Sequence, residues 1–182
     1  MATNLQLLVS YCYKPMKRLI LVLSIILAFA CPLTAEAKDI DIQTKLESIA
    51  KNVSKDLGLP YTPKISTYDC DWYKSLASNT LIPIGGQPTI CVNLSGLTEE
   101  EAEAKGMTLD YLIVHTIAHE CRHSFQYEHQ NDNSDYGRAC KDGYNAYTQY
   151  YDDLSAYKAQ FLEQDANEYA KSYADRYFKL VR

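Results

Sequence analysis

At 182 residues, with 47% hydrophobic and 23% charged residues, the chain has room for one domain around a single core. Seven Gly, six Pro and no internal repeat exclude collagenous, solenoid and low-complexity classes. The formal charge of −5 makes nucleic acid and anionic membrane poor partners.

The N-terminus reads as a processing segment. Basic Lys14, Lys17 and Arg18 precede an apolar run from Leu19 to Ala30, and Ala35-Glu36-Ala37 supplies an A-x-A cleavage pattern before Lys38. The apolar run is short for a permanent anchor, so no stable membrane insertion is expected after cleavage. Met16-Lys17-Arg18 reads as a more natural start than Met1. A rival route is lipoprotein processing at Cys31, but Ala28 replaces the usual Leu and Pro32 follows. The expectation is a signal peptide over 1–37 and a single secreted or periplasmic domain over 38–182. Removing 1–37, which holds three of 18 basic and one of 23 acidic residues, moves the charge to −7. It leaves Cys70, Cys91, Cys121 and Cys140. Four cysteines in an exported chain suggest two disulfides; the local pairs Cys70–Cys91 and Cys121–Cys140 are favoured over the other connectivities. Thiolate metal ligation is disfavoured because no C-x-x-C occurs.

In chain order, Ile42, Leu46, Ile49, Val53 and Leu57 recur at helical spacing, and Gly58 with Pro60 stops that helix. "PKISTYDCDWY" alternates like a short strand, "TLIPIGG" reads as a loop, and "QPTICVNLS" is the clearest strand. Thr98 with Glu101 forms a capping box for a short helix that Gly106 ends. Thr108 caps the next helix, with Asp110 in its first turn, running to about Gln126. "EHQNDNSDYGRACKDG" is polar and aperiodic and reads as a loop; a last helix is expected from Ser155 to about Leu180. The class is α+β, with the strands gathered before the histidines. Ten of the 16 tyrosines follow Gln126, a pattern of wide, half-buried surface.

All four histidines fall in "HTIAHECRHSFQYEH", His115 to His129. On a helix, His119 and His123 share one face a turn apart and can direct two imidazoles at one ion. Glu120, a step further round, can reach a water made acidic by zinc, take its proton and pass it to a leaving amine. His119-Glu120-x-x-His123 on a helix after a strand is therefore a candidate zinc site with Glu120 as general base. His115 is expected near the site but not as a ligand, because three stacked ligands on one straight helix cannot converge on a tetrahedral ion. Arg122 is a solvated charge or the partner of an acidic residue on the last helix. Cys121 lies about 200° round from His119 and faces away.

A third ligand is needed. His129 has the metzincin spacing, but Gln126 stands where that helix requires a glycine turn, and no Met follows Met107. Glu163 is in helical phase with Ala166, Ala170, Tyr173 and Tyr177, the small and apolar side of the last helix. A carboxylate on that side needs a partner, and a metal is one. Glu163 is preferred. Asp165 is expected to orient a histidine or Arg122 or to be exposed, and Asn167 to support the site.

"AHECRHSFQ" followed by "LEQDANEYA" resembles the HExxH plus E-x-[DE]-A pattern of small gluzincin-type metallopeptidases of the ImmA/IrrE kind and their phage-borne relatives, over about residues 109–175. The resemblance implies a minimal zincin fold, one zinc per chain, and Glu163 as third ligand. Those relatives are typically cytosolic regulators, whereas this chain carries export and disulfide signals, so their substrates do not transfer. The expected function is zinc-dependent hydrolysis of a peptide or protein substrate, held beside an edge strand containing "TICVNL". Zinc, with a Tyr or His from 127–151 as a candidate helper, would stabilise the oxyanion. The alternative is an inactive metal- or peptide-binding protein on the same scaffold. Oligomeric state is not legible.

Overall fold

The computed structural model describes residues 41–68, 70, 75–80, 88–148 and 152–180. The expectations for 1–37, export signal and Cys31 processing included, lie outside these residues.

Among the described residues there are six helices and a three-stranded sheet. Helix α1 (41–57) buries Leu46, Ile49, Ala50 and Val53, the stripe its spacing predicts. It ends in a Schellman closure: Gly58 takes φ +70, its N–H donates to Lys55, and Leu59 N–H donates to the Ser54 carbonyl. Only glycine enters that conformation without strain. The same closure recurs at Gly106 (φ +70), where Gly106 and Met107 N–H groups satisfy the Glu103 and Ala102 carbonyls.

Strand β1 (Lys64–Ser66) pairs parallel with β3 (Thr89–Val92), and β2 (Ala77–Thr80) pairs antiparallel with it. The order β1-β3-β2 makes β3 the middle strand, with Ile90 and Val92 fully buried. This corrects the expectation that the "TICVNL" strand offers a free edge: both its sides are paired, and β2 is the strand that lies along the His-bearing helix. β2 was not predicted, because "ASNT" carries no apolar alternation.

Helix α2 (Glu99–Ala104) starts at Thr98, whose hydroxyl accepts from Glu101 N–H. Helix α3 (Leu109–His129) starts at Thr108, which accepts from Tyr111 N–H. Its buried residues, Leu112, Ile113, Val114, Ile117 and Ala118 among them, lie on nearly every side of its N-terminal half, as befits a central helix covered by α1, the sheet and α6. α3 outlasts its expected end at Gln126, reaching His129.

The expected loop after His129 contains helix α4 (Asp135–Asn145), capped by Ser134. Its glycines are packing sites rather than breakers. A Cβ on Gly137 would stand 2.6 Å from the His129 carbonyl oxygen and 2.5 Å from that of Asp132, and one on Gly143 would stand 2.8 Å from Leu162. The expected last helix is two: α5 (Leu154–Ala159) and α6 (Phe161–Leu180), broken at Gln160. Gln160 clamps Thr148 by accepting from its N–H and donating to its carbonyl. Along α6, Ala166, Ala170 and Ala174 are fully buried, so its axis can come close to α3.

Cys70 and Cys91 form a disulfide. Cys121 and Cys140 do not: both are free and buried, which corrects the expected second bridge. Cys121 faces Ser54 of α1, whereas Cys140 on α4 lies by Tyr136, Arg122 and Asp165. Burial pushes both thiols up and suppresses their thiolates.

Peptide mapping without reduction is expected to recover Cys70 linked to Cys91, with Cys121 and Cys140 alkylated only after unfolding. The bridge closes 21 residues, so Cys70→Ser/Cys91→Ser should lower stability by about 3 kcal/mol in denaturant titration. A Cys121–Cys140 peptide would contradict the fold.

Candidate metal centre

One turn of α3 brings His119 above His123, and the first turn of α6 brings Glu163 against both. His119 Nε2 and His123 Nε2 are 3.1 Å apart. Glu163 Oε2 lies 3.3 Å from the first and its Oε1 lies 3.4 Å from the second. The three side chains each offer a ligand atom within 4.8 Å of the others, close enough to hold one metal ion. Glu163 is 1% exposed, and a carboxylate buried that deeply needs compensation. Two imidazole nitrogens at 3.1 Å also cannot both present lone pairs without a proton or a cation between them.

The electrostatics follow from this packing. Burial alone would raise the Glu163 carboxyl, but hydrogen bonds and charge from His119 and His123 reverse that and hold it well below the usual carboxylate range. Burial alone would lower His123, but Glu163, Glu120 and Gln126 lift it to about 9. Glu120 is also buried, and desolvation pushes its carboxyl up, the two histidines only partly offsetting this.

His115 is neutral near pH 7: burial, then the charges of His119 and Lys105, lower it to about 4. It stacks on Tyr111 and stays outside the ligand cluster. His129 is also outside it. Because α3 runs unbroken to His129, its ring is carried round the helix to stack on Phe125, with Nδ1 bonded to the Phe125 carbonyl at 2.8 Å. Arg122 meets Asp165 bidentately at 2.8 and 2.9 Å, the expected partner on the last helix. Asn167 supports Glu163 through its backbone carbonyl, at 2.8 Å, rather than through the carboxylate.

Three contributors escaped sequence reasoning. Tyr147 donates to Glu163 Oε1 at 3.0 Å, from a segment with no periodic signal. Asn79 of β2 donates to the Glu120 carbonyl at 2.6 Å and to Ser124 Oγ at 2.7 Å, stitching the sheet to the ligand-bearing turn of α3. Gln126, noted only as the wrong residue for a glycine turn, is fully buried and bonded to His123 Nδ1; a polar residue on a buried helical face was the available signal.

No family model, curated protein or solved structure matches the chain. Its function must be argued from the site.

A cleft of about 670 Å³ opens onto His119, Glu120 and Glu163, walled by Leu76 and Ala77 on the β2 side and by Tyr157 of α5 on the other. Glu120 therefore borders open space as well as the ligand cluster.

Zinc titration should separate the two candidate third ligands. Glu163→Ala is expected to empty the site at limiting metal, whereas His129→Ala retains it. The opposite order would assign the third ligand to His129.

Proposed function

We propose that the protein is a zinc-dependent peptidase on a minimal zincin-like fold, acting outside the cytoplasm. The observation that carries this reading is the His119–His123–Glu163 cluster, with His123 and Glu163 buried and His119 partly so, and Glu120 beside it on an open cleft. A tetrahedral zinc with bonds of about 2.0–2.1 Å requires donors about 3.3 Å apart; the two imidazole nitrogens stand 3.1 Å apart, and Glu163 presents one carboxylate oxygen at 3.3 Å from the first and its other oxygen at 3.4 Å from the second, close to that spacing. The donor chemistry fits equally: two imidazoles and one carboxylate leave a coordination position free, as catalytic sites do. The order of motifs, with Glu163 on a later helix, supports the resemblance to gluzincin-type metallopeptidases.

Zinc held there supplies Lewis acidity, lowering the pKa of water and polarising a carbonyl oxygen. The rest is done by the chain. Glu120, desolvated and with its carboxyl pushed up, is suited to accept a proton from an attacking water and return it to the departing amine. His119, His123 and Glu163 are rigid donors, each on a helix rather than a loop. β2, which pairs on one side only among the described residues, borders the cleft and offers backbone groups to an extended peptide. Tyr157 lies beside Glu163 and lines the same cleft, where its hydroxyl is a candidate to stabilise an oxyanion.

The Cys70–Cys91 disulfide is consistent with an extracytoplasmic location, and no helix among the described residues is long and apolar enough to cross a membrane. An intact general base favours hydrolysis over metal storage, which has no use for one.

The test is Glu120→Gln, assayed on an unfolded protein such as reduced casein. Activity should fall by several orders of magnitude while about one zinc per chain is retained. Near-wild-type turnover in the variant would contradict hydrolysis through Glu120. A wild-type protein that binds zinc and cleaves nothing would leave a metal- or peptide-binding role.

A further inference from the structure

Gln126 lies one turn beyond His123 on α3, fully buried. Both hydrogens of its amide nitrogen are committed, because Nε2 donates to the Leu162 carbonyl and to Asp165 Oδ2, each at 2.8 Å. A backbone carbonyl and a carboxylate paired with arginine can only accept, so the amide cannot be turned round. Its oxygen, Oε1, therefore faces His123 Nδ1 at 2.8 Å. An amide oxygen has nothing to donate. The proton in that bond must sit on Nδ1.

We infer that Gln126 is a positioning residue that keeps a proton on Nδ1 of His123, so that Nε2 is the nitrogen that gives up its proton and turns a lone pair to the point shared with His119 and Glu163 when a metal binds. This deepens the metal-centre reading and rests on it for its purpose, though the Nδ1 proton is fixed by Gln126 without a metal.

The amide is held in its own turn. Asp165 accepts from Nε and Nη2 of Arg122 and from the Tyr136 hydroxyl, the last at 2.9 Å. Arg122 is fixed by the Phe125 ring, 4.6 Å from its guanidinium carbon. The two α6 groups that Gln126 grips, at Leu162 and Asp165, flank Glu163. One side chain thus sets the protonated nitrogen of the second histidine and also holds the turn of α6 that delivers the third ligand. A second-sphere partner on the distal nitrogen of a ligating histidine fixes ring orientation and tautomer, and its loss typically costs about 10–100-fold in metal affinity.

Nitrogen NMR of isotope-labelled histidine in the zinc-free protein, with His123 in its neutral form, tests this directly. The wild-type ring should be a single tautomer protonated on Nδ1. Gln126→Met should release it to the mixture of an unconstrained imidazole and weaken zinc binding about 10–100-fold in chelator competition. If Gln126→Met fails to fold, the wild-type spectrum still decides: a His123 ring protonated on Nε2 overturns the inference. So does a folded variant with unchanged tautomer and zinc affinity. A protein with the expected tautomer but no peptidase activity would sink the hydrolytic reading and leave this one standing.

Discussion

A carboxylate with almost no exposure, set between two imidazoles, is the constraint around which the molecule is arranged. Burying an ionised Glu163 costs several kcal/mol unless partners surround it, and here they do: His119, His123 and the Tyr147 hydroxyl. That convergence demands close approach of α6 to α3, which the fully buried Ala166, Ala170 and Ala174 permit. It also demands that α3 remain an unbroken helix from Thr108 past His123, seated by the apolar residues of its first half.

Around this point the fold tightens in successive layers. Asn79 fastens the edge of the sheet to the Glu120 carbonyl; Gln126 bridges the second histidine to α6; Arg122 and Asp165 close the next layer. Functional geometry held within about 0.5 Å requires such support from fixed rotamers. The open side is the reverse. Glu120 and His119 face an open cleft between β2 and α5. In the proposed hydrolysis the raised carboxyl at Glu120 would act as general base beside the donors that hold the metal.

The centre of this arrangement could be read from the residues because its physics is periodic. His119 and His123 are a turn apart on one helix, and Glu163 shares the phase of Ala166 and Ala170 on another. Arg122 meeting an acidic partner on α6 is one of the two roles its charge allows, and the Cys70–Cys91 pairing follows from proximity in sequence. What could not be read depended on contacts made across the fold. Gly137 and Gly143 look like loop signals, yet each is a place where helix α4 presses against its neighbours, on the His129 carbonyl and on Leu162. The centrality of β3 is a matter of pairing order, which no single strand encodes. The Cys121–Cys140 bridge was inferred from number and proximity in sequence, but α3 turns Cys121 toward α1 and Cys140 faces another side. Gln126 was weighed against a glycine pattern belonging to a different geometry, and its actual role emerged only once Leu162 and Asp165 were beside it.

The most direct measurement is X-ray absorption at the zinc edge of the purified protein loaded with one equivalent of metal. The account predicts two imidazole nitrogens completed by oxygen donors, with no sulfur, and the loss of the protein carboxylate contribution in Glu163→Ala. Three imidazoles, a sulfur shell from Cys121 or Cys140, or the absence of stoichiometric zinc would contradict it.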